Sequence, residues 1–428
     1  MKSGESHPPR VYLRFKGKRN SHTRTPPLRE TFYNEDLAKT LEQLAAEGLS
    51  SFYTGSIASD MVAASRNAVN PRTGKYGLMT AADLASYLPV YREPISVTYR
   101  GHRVYGFPPP ASGGIAMLQI VNYLEAFDLP TTGPLNADSV HPIIDSQNMA
   151  FADRNKYIGD ADFVDVPVQG LIDKEYMRNR RNSMANPVRA IPTPIPPGKP
   201  EGAPKYATVL VDHEKGTTHW SIVDESGNAV SFTSTIEQVM GSGVVVPNRG
   251  FLLNNELTDF EDYESDASGL PYANAPAGGK MRRRTALGND STTSGGKRPR
   301  SSMTPTIVFN TTGEALYLLT GSPGGSSIIG ATANVLLNIV DFGIDLQEAT
   351  NMGRVLGKNT ETSAESEIYE HDDGALFAEL NARGFNFTTP YPTTATYGQV
   401  QSVMVGQDGN LYGAADSKRN TMAWAAGF

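Results

Sequence analysis

Residues 215–224 read Lys215-Gly216-Thr217-Thr218-His219-Trp220-Ser221-Ile222-Val223-Asp224, a Gly-Thr bond set just before an alternating strand near the middle of 428 residues. If that bond were cut, Thr217 would carry a nucleophilic hydroxyl and a free α-amine on one residue. An N-terminal α-amine has a reference pKa of about 8, low enough to accept the hydroxyl proton near neutral pH. A threonine activated by its own amine is a recognised arrangement for nucleophilic catalysis. The plainer reading makes Thr217 and Thr218 β-branched residues that open a strand. For the dipeptide alone, the plainer reading suffices.

The neighbouring residues add geometry. Two strand-like runs, His219–Asp224 and Asn228–Thr235, are separated by Glu225-Ser226-Gly227. A three-residue hairpin loop with glycine in the left-handed position is a common connection, and it fixes the register. With Asp224 opposite Asn228, Thr217 falls opposite Thr235. Side chains two apart share a face, which brings Glu237 to the same spot. A two-residue loop would shift this register by one. The hairpin therefore predicts a second hydroxyl and a carboxylate around Thr217.

Upstream, Glu35–Glu47, Ser56–Ser65, Ala81–Tyr87 (with Thr80 as N-cap) and Ile115–Phe127 have helical spacing. His141–Tyr157 is a further helix, with Asp153 and Arg154 on its polar side. Ile95–Tyr99 and Arg103–Phe107 alternate as strands. The proline-rich run 191–204 reads as an extended, exposed linker. Downstream, the polar stretch 261–297 reads as a mobile surface loop. Thr304–Phe309 and Ala315–Thr320 are strands, followed by Gly321-Ser322-Pro323-Gly324-Gly325-Ser326-Ser327 and the apolar helix Ile328–Val340. This order suggests a layered α/β sandwich.

The glycine-rich turn would aim backbone N–H groups at one point near a helix N-terminus, where an oxyanion could sit. It lacks the residues of a phosphate-binding loop, and a tight turn would use the same glycines. Ser301-Ser302 and Asp259 fit turn chemistry equally well. His219 reads as a strand residue rather than a base. The seven histidines fall in no ligand pairing, so neither a metal nor a cofactor is expected. A net charge of -7 speaks against nucleic acid as the main partner. The sequence has no cysteine, which excludes disulfides and thiolate chemistry. Residues 1–26 read as a disordered basic tail without the apolar core of a signal peptide, and no run approaches the ~18 apolar residues of a membrane span.

Nucleophile, internal base, hydroxyl partner, oxyanion donors and polar anchors together form a list for acyl transfer. From about Pro27 to Phe428 the sequence also resembles the γ-glutamyltranspeptidases (glutathione hydrolases). The resemblance rests on Phe52-Tyr53-Thr54-Gly55, Phe107–Gly114, Phe151-Ala152-Asp153-Arg154, Thr217–Val230, Leu252–Phe260, Ser301-Ser302-Met303 and Gly321–Ser326. It implies an N-terminal-nucleophile hydrolase with an αββα sandwich. It further implies self-cleavage at Gly216-Thr217 into a large subunit region 27–216 and a small, catalytic region 217–428, paired as a heterodimer.

The same resemblance makes Thr217 the nucleophile, Thr235 its supporting hydroxyl, and Gly324 and Gly325 the oxyanion donors. Asp259, with Glu256 beside it, would hold the substrate α-amino group, and Ser301 and Ser302 the α-carboxylate. Glu237 stands where many members have asparagine, which points to hydrolysis or other acyl substrates. The donor would be glutathione or another γ-glutamyl compound, and the acceptor water, an amino acid or a dipeptide. The family's large subunit begins well before this match. The chain is therefore expected to be an N-terminally truncated member, with an incomplete sandwich and without the family's carboxylate-binding arginine. The resemblance suggests an extracellular or membrane-associated protein. Two other readings stand beside this one: an acylase for glutaryl-type amides built on the same machinery, and an inactive fragment.

Overall fold

In the computed structural model, residues 33–71, 73–209, 216–276, 296–313, 315–387, 397–419 and 423–427 are described. The basic tail at 1–26, and Lys215 of the opening stretch, lie outside them. The described residues fall into two compact units. One combines those of Met1–Val90 with Met240–Leu253, the other Tyr91–Val239 with Asn254–Phe428.

In the first unit the helix Glu35–Glu47 forms over the residues its leucine spacing predicts, with Asn34 accepting from Leu37 N as N-cap. Ser56–Asn67 and Ala81–Ala85 follow; Thr80 and Asp83 close a reciprocal capping box at the start of the latter. Ile57, Met61, Ala64 and Val246 make a small core. The returning segment is tied down by Arg249, whose Nε meets Asp60 Oδ2 at 2.7 Å and whose carbonyl accepts from Thr40 Oγ1 at 3.0 Å.

The second unit is built on an antiparallel sheet of six strands, ordered β1-β2-β5-β6-β9-β10. The strands are β1 (Ile95–Tyr99), β2 (His102–Gly106), β5 (Thr306–Phe309), β6 (Leu316–Gly321), β9 (Gln401–Val405) and β10 (Leu411–Ala415). Helices Gly113–Leu124 and Ser327–Val340 cover one face, and Ala137–Tyr157 packs on the first of them. All twelve residues of the mostly apolar Gly113–Leu124 are buried, with Gln119 and Asn122 donating to Asp153 and to the Ile172 carbonyl. Each buried aliphatic there contributes about 1.5–3 kcal/mol. A short pair, β7 (Val355–Gly357) and β8 (Thr362–Ala364), packs through β7 on the middle of Ala137–Tyr157 and of Ser327–Val340, where Gln147 and Asn334 bond its backbone.

Against the other face, on β6 and β9, lies the hairpin of β3 (Thr218–Val223) and β4 (Ala229–Ser234). Its register sets Val223 against Ala229 and Thr218 against Ser234, as the loop predicted. Asp224 locks the turn by accepting from Ser226 N and Asn228 N at 2.9 and 2.8 Å. The alternation runs opposite to the usual one. His219, Ser221 and Ser231 face the six-stranded sheet, whereas Trp220, Ile222, Val230 and Phe232 face outward at 45–54% exposure. The layers formed by the described residues of this unit are thus helix, sheet and hairpin. No described helix is long and apolar enough to cross a membrane.

Two expectations need correction, and one gains detail. Asp153 and Arg154 lie on a polar side of their helix, and both are fully buried. Asp153 accepts from Gln119, Tyr176, Arg180 and Gly198 N, so the polar face of its helix meets other polar groups inside the fold. The proline-rich run is extended but not slack. Ile191 and Ile195 are buried, and Asn359 both donates to and accepts from the Ile195 backbone. In the stretch 261–297, Ala273, Asn274, Ala275 and Lys297 are buried, so its described ends are packed rather than mobile; residues 277–295 lie outside the described set.

Candidate active site

Thr217 sits where the hairpin begins. Its Oγ1 donates to Thr235 Oγ1 at 3.2 Å, and Thr235 Oγ1 also accepts from Glu237 N at 2.8 Å. The cross-strand partner inferred from the three-residue loop is therefore in place. Thr217 has φ 116°, a conformation a β-branched residue adopts only under constraint, at a cost of roughly 1–3 kcal/mol. Gly216 has φ 122°, and a Cβ there would lie 2.3 Å from Glu237 O. Only glycine fits at that position.

The turn after β6 comes to the same peptide. Gly324 N donates to Gly216 O at 3.4 Å, placing a backbone donor on the carbonyl of the Gly216–Thr217 bond. Gly324 has φ 132°, and a Cβ would meet Gly398 Cα at 2.7 Å. Gly325, at φ 59°, continues the turn into the helix Ser327–Val340. Ser322 Oγ accepts from Gln399 N at 2.8 Å, which braces the turn against the 398–399 segment.

Beyond Thr235 lies an acidic pocket. Glu256 and Asp259 occupy the 3-10 turn Glu256–Asp259, and Glu237 is 3% exposed with φ 70°. Asn255 Nδ2 donates to Glu237 Oε2, while Glu237 Oε1 has no hydrogen-bond partner among the described residues. Burial, and then the Glu237 charge, raise the Glu256 carboxyl above its ordinary value; hydrogen bonds to Thr235 and Asp259 pull it back in part. Three clustered carboxyl groups of this kind suit a ligand that brings a cation. Among the described residues no acid or histidine group could hold a metal ion.

Ser301 pairs with Ala111 in an isolated bridge, and Ser301 O accepts from Ser112 N at 2.7 Å and from Ser112 Oγ at 2.9 Å. Ser302 is fully buried; Arg154 donates to its Oγ at 2.7 Å and to Ser112 Oγ at 2.8 Å. Of the two serines only Ser301 is partly exposed. His219 donates or accepts at Thr233 Oγ1 (2.8 Å) and Ser221 Oγ (3.1 Å), and burial lowers its pKa to about 3. It stays neutral and structural, the role its strand position suggested.

A family model described as gamma-glutamyltranspeptidase matches residues 14–426. The chain belongs to the gamma-glutamyltranspeptidase family. It is 37% identical over 390 residues to the glutathione hydrolase proenzyme of Escherichia coli K12, covering 91% of this chain and 61% of that protein. To the glutathione hydrolase proenzyme of Pseudomonas sp. strain A14 it is 34% identical over 403 residues, covering 92% and 63%. The solved cephalosporin acylase of Bacillus halodurans superposes with TM-score 0.71 at 25% identity, over 92% of this chain and 63% of that one. The chain thus spans about three fifths of the length of these relatives. Its architecture is the N-terminal-nucleophile hydrolase fold, with the mixed α/β layers and antiparallel sheets expected of the gamma-glutamyltranspeptidase family.

Gly324 was expected as an oxyanion donor, and what the sequence left open is that it meets the Gly216 carbonyl. Two further features, the Asn255 amide on Glu237 and the Arg154 clasp on Ser302, were not anticipated. The Asn254-Asn255-Glu256 run and the paired Asp153-Arg154 were the available signals, since amides and arginines at such density often serve buried networks.

Proposed function

We propose that the chain is an N-terminal-threonine amidohydrolase and acyltransferase acting on γ-glutamyl amides such as glutathione, matured by its own cleavage at Gly216–Thr217. One observation carries this reading: the Gly324 N–H donates to the carbonyl oxygen of the Gly216–Thr217 peptide, while the hydroxyl of Thr217, the residue that follows that carbonyl, donates to Thr235 Oγ1.

In the first reaction Thr217 Oγ attacks the Gly216 carbonyl carbon while the hydroxyl proton leaves along the Thr235 contact. Gly324 N–H stabilises the oxyanion. The C–N bond breaks, the amide nitrogen takes a proton and becomes the Thr217 α-amine, and an ester links Gly216 to Oγ. Water hydrolyses that ester and leaves a large region ending at Gly216 and a small region beginning at Thr217, associated as a heterodimer. In each later turnover the α-amine accepts the Oγ proton as Oγ attacks the γ-carbonyl. The leaving amine takes a proton, and the γ-glutamyl ester passes to water or to the amine of an amino acid or dipeptide.

Asp259, supported by Glu256 and Glu237, holds the substrate α-ammonium; of the two serines expected at its α-carboxylate, the partly exposed Ser301 makes the contact, and the buried Ser302 fixes the segment through Arg154. Gly324 and Gly325 supply the oxyanion donors. Charge complementarity at the amino-acid end orients the γ-carbonyl over Thr217. The acidic pocket favours this reading over a glutaryl-type acylase, because a glutaryl group has no ammonium for three carboxyl groups to meet.

The test is a gel with intact mass on the purified chain. Maturation yields a piece of 216 residues and the remaining 212 of the 428, and Thr217→Ala stays whole. A folded, soluble wild-type chain that never splits refutes the proposal. L-γ-Glutamyl and glutaryl anilides, compared on the split protein, then identify the acyl group.

A further inference from the structure

Between Asp259 and Ser301, the described part of the 261–297 stretch is fixed by two side chains that the chemistry above leaves unused. Asn274 is 1% exposed. Its Nδ2 donates to Asp259 O at 2.6 Å and to Glu261 Oε1 at 3.3 Å, and its Oδ1 accepts from Arg300 N at 2.8 Å. One amide thus spans the backbone of Asp259 and the residue just before Ser301. An amide suits this span, because one end of it donates and the other accepts. Lys297 pins the carbonyls on either side, its Nζ donating to Ala273 O at 2.9 Å and Ala275 O at 2.7 Å. Glu261 N donates to Asn274 O at 3.2 Å, and Arg300 Nη2 meets Glu261 Oε1 at 3.2 Å, closing the brace.

We propose that Asn274 is a positioning residue that sets the separation between Asp259 and the Ser301–Ser302 strap, and thereby selects ligands bearing an ammonium and a carboxylate on one carbon. This rests on the assignment above of those residues as the two anchors. Such a ligand cannot stretch to suit a displaced anchor, because one tetrahedral carbon fixes its two charges. A ligand that engages only the strap tolerates the displacement. Asn274 therefore governs selectivity rather than the reaction at Thr217.

Calorimetric titration of the full chain with L-glutamate and with glutarate tests this. Asn274→Asp keeps the shape but turns an acceptor toward Asp259 O. The expected result is a Kd for L-glutamate raised at least tenfold, with glutarate within about twofold and self-cleavage retained. Lys297→Met, which leaves the amide's own bonds in place, shifts L-glutamate in the same direction by a smaller factor. It decides the question by the same criterion if Asn274→Asp does not fold. Equal weakening of both ligands, or unchanged L-glutamate binding, overturns the proposal. So does a wild-type chain that does not bind L-glutamate. A wild-type chain that binds L-glutamate selectively but cleaves no γ-glutamyl anilide refutes the proposed function and leaves this inference standing.

Discussion

Gly324→Ala perturbs the donor that the proposed chemistry depends on, through two effects readable in the structure. The native φ of 132° is one that alanine reaches only with roughly 1–3 kcal/mol of strain. The new methyl would also stand 2.7 Å from Gly398 Cα and 2.9 Å from Gly398 N, both backbone atoms without freedom to swing aside. The turn must therefore move, carrying the Gly324 N–H away from the Gly216 carbonyl it already meets at a long 3.4 Å. Loss of one such donor costs about 10²–10³ in rate, or about 2.7–4 kcal/mol. The assay is the rate of appearance of the two pieces from freshly purified precursor at 25 °C, with a melting curve alongside. Gly313→Ala is the control, since Gly313 also has a positive φ (74°) but open space around it. That variant should lose a little stability and cleave normally. If Gly324→Ala splits within about threefold of wild type, the Gly324 N–H is not the oxyanion donor and the argument fails.

Three further outcomes follow from the same geometry. Thr235→Val keeps the volume but removes the oxygen that contacts Thr217 Oγ1 and Glu237 N, so cleavage should slow by about 10²-fold or more; an unchanged rate would take Thr235 out of the proton path. Glu237→Asn removes the like charge that helps raise the Glu256 carboxyl. Ammonium binding needs that carboxyl ionised and fails as pH falls through its raised pKa. The acid limb of kcat/KM should therefore move to lower pH in the variant, and a limb that stays or moves upward counts against the pocket. The double variant Trp220→Ser/Phe232→Ser should bind less apolar dye while splitting at the wild-type rate, because this pair stacks at 5.4 Å on the outer face of the hairpin.

What could be read from sequence divides by the range of the interactions involved. The Thr217–Thr235 contact was legible because a three-residue loop fixes the whole hairpin, and Asp224 enforces that loop from within it. Leucine spacing and the Thr80 cap likewise carried the helices of the first unit. The Gly324–Gly216 bond joins segments that meet only through the packing of the hairpin on the sheet, and the Asn274–Asp259 bond closes an irregular stretch without a repeating pattern, so no local signal encodes either. Arg154 shows a different limit. Polar residues at helical spacing look alike whether they face water or a buried serine, and only the neighbours of Arg154 reveal which. The prolines of 191–204 dictated an extended backbone, yet the anchoring came from Asn359, more than 150 residues later.

Under the proposed chemistry, the long bond from Gly324 to the Gly216 carbonyl bears on when activity would begin. Before a cut, the chain's own peptide would fill the position that a substrate carbonyl takes, so the precursor would be a closed, single-use complex with itself. Opening would be a unimolecular event, and its half-time should not depend on protein concentration. The first molecule such a site processes would be its own backbone, and leaving that donor would make room for every later one.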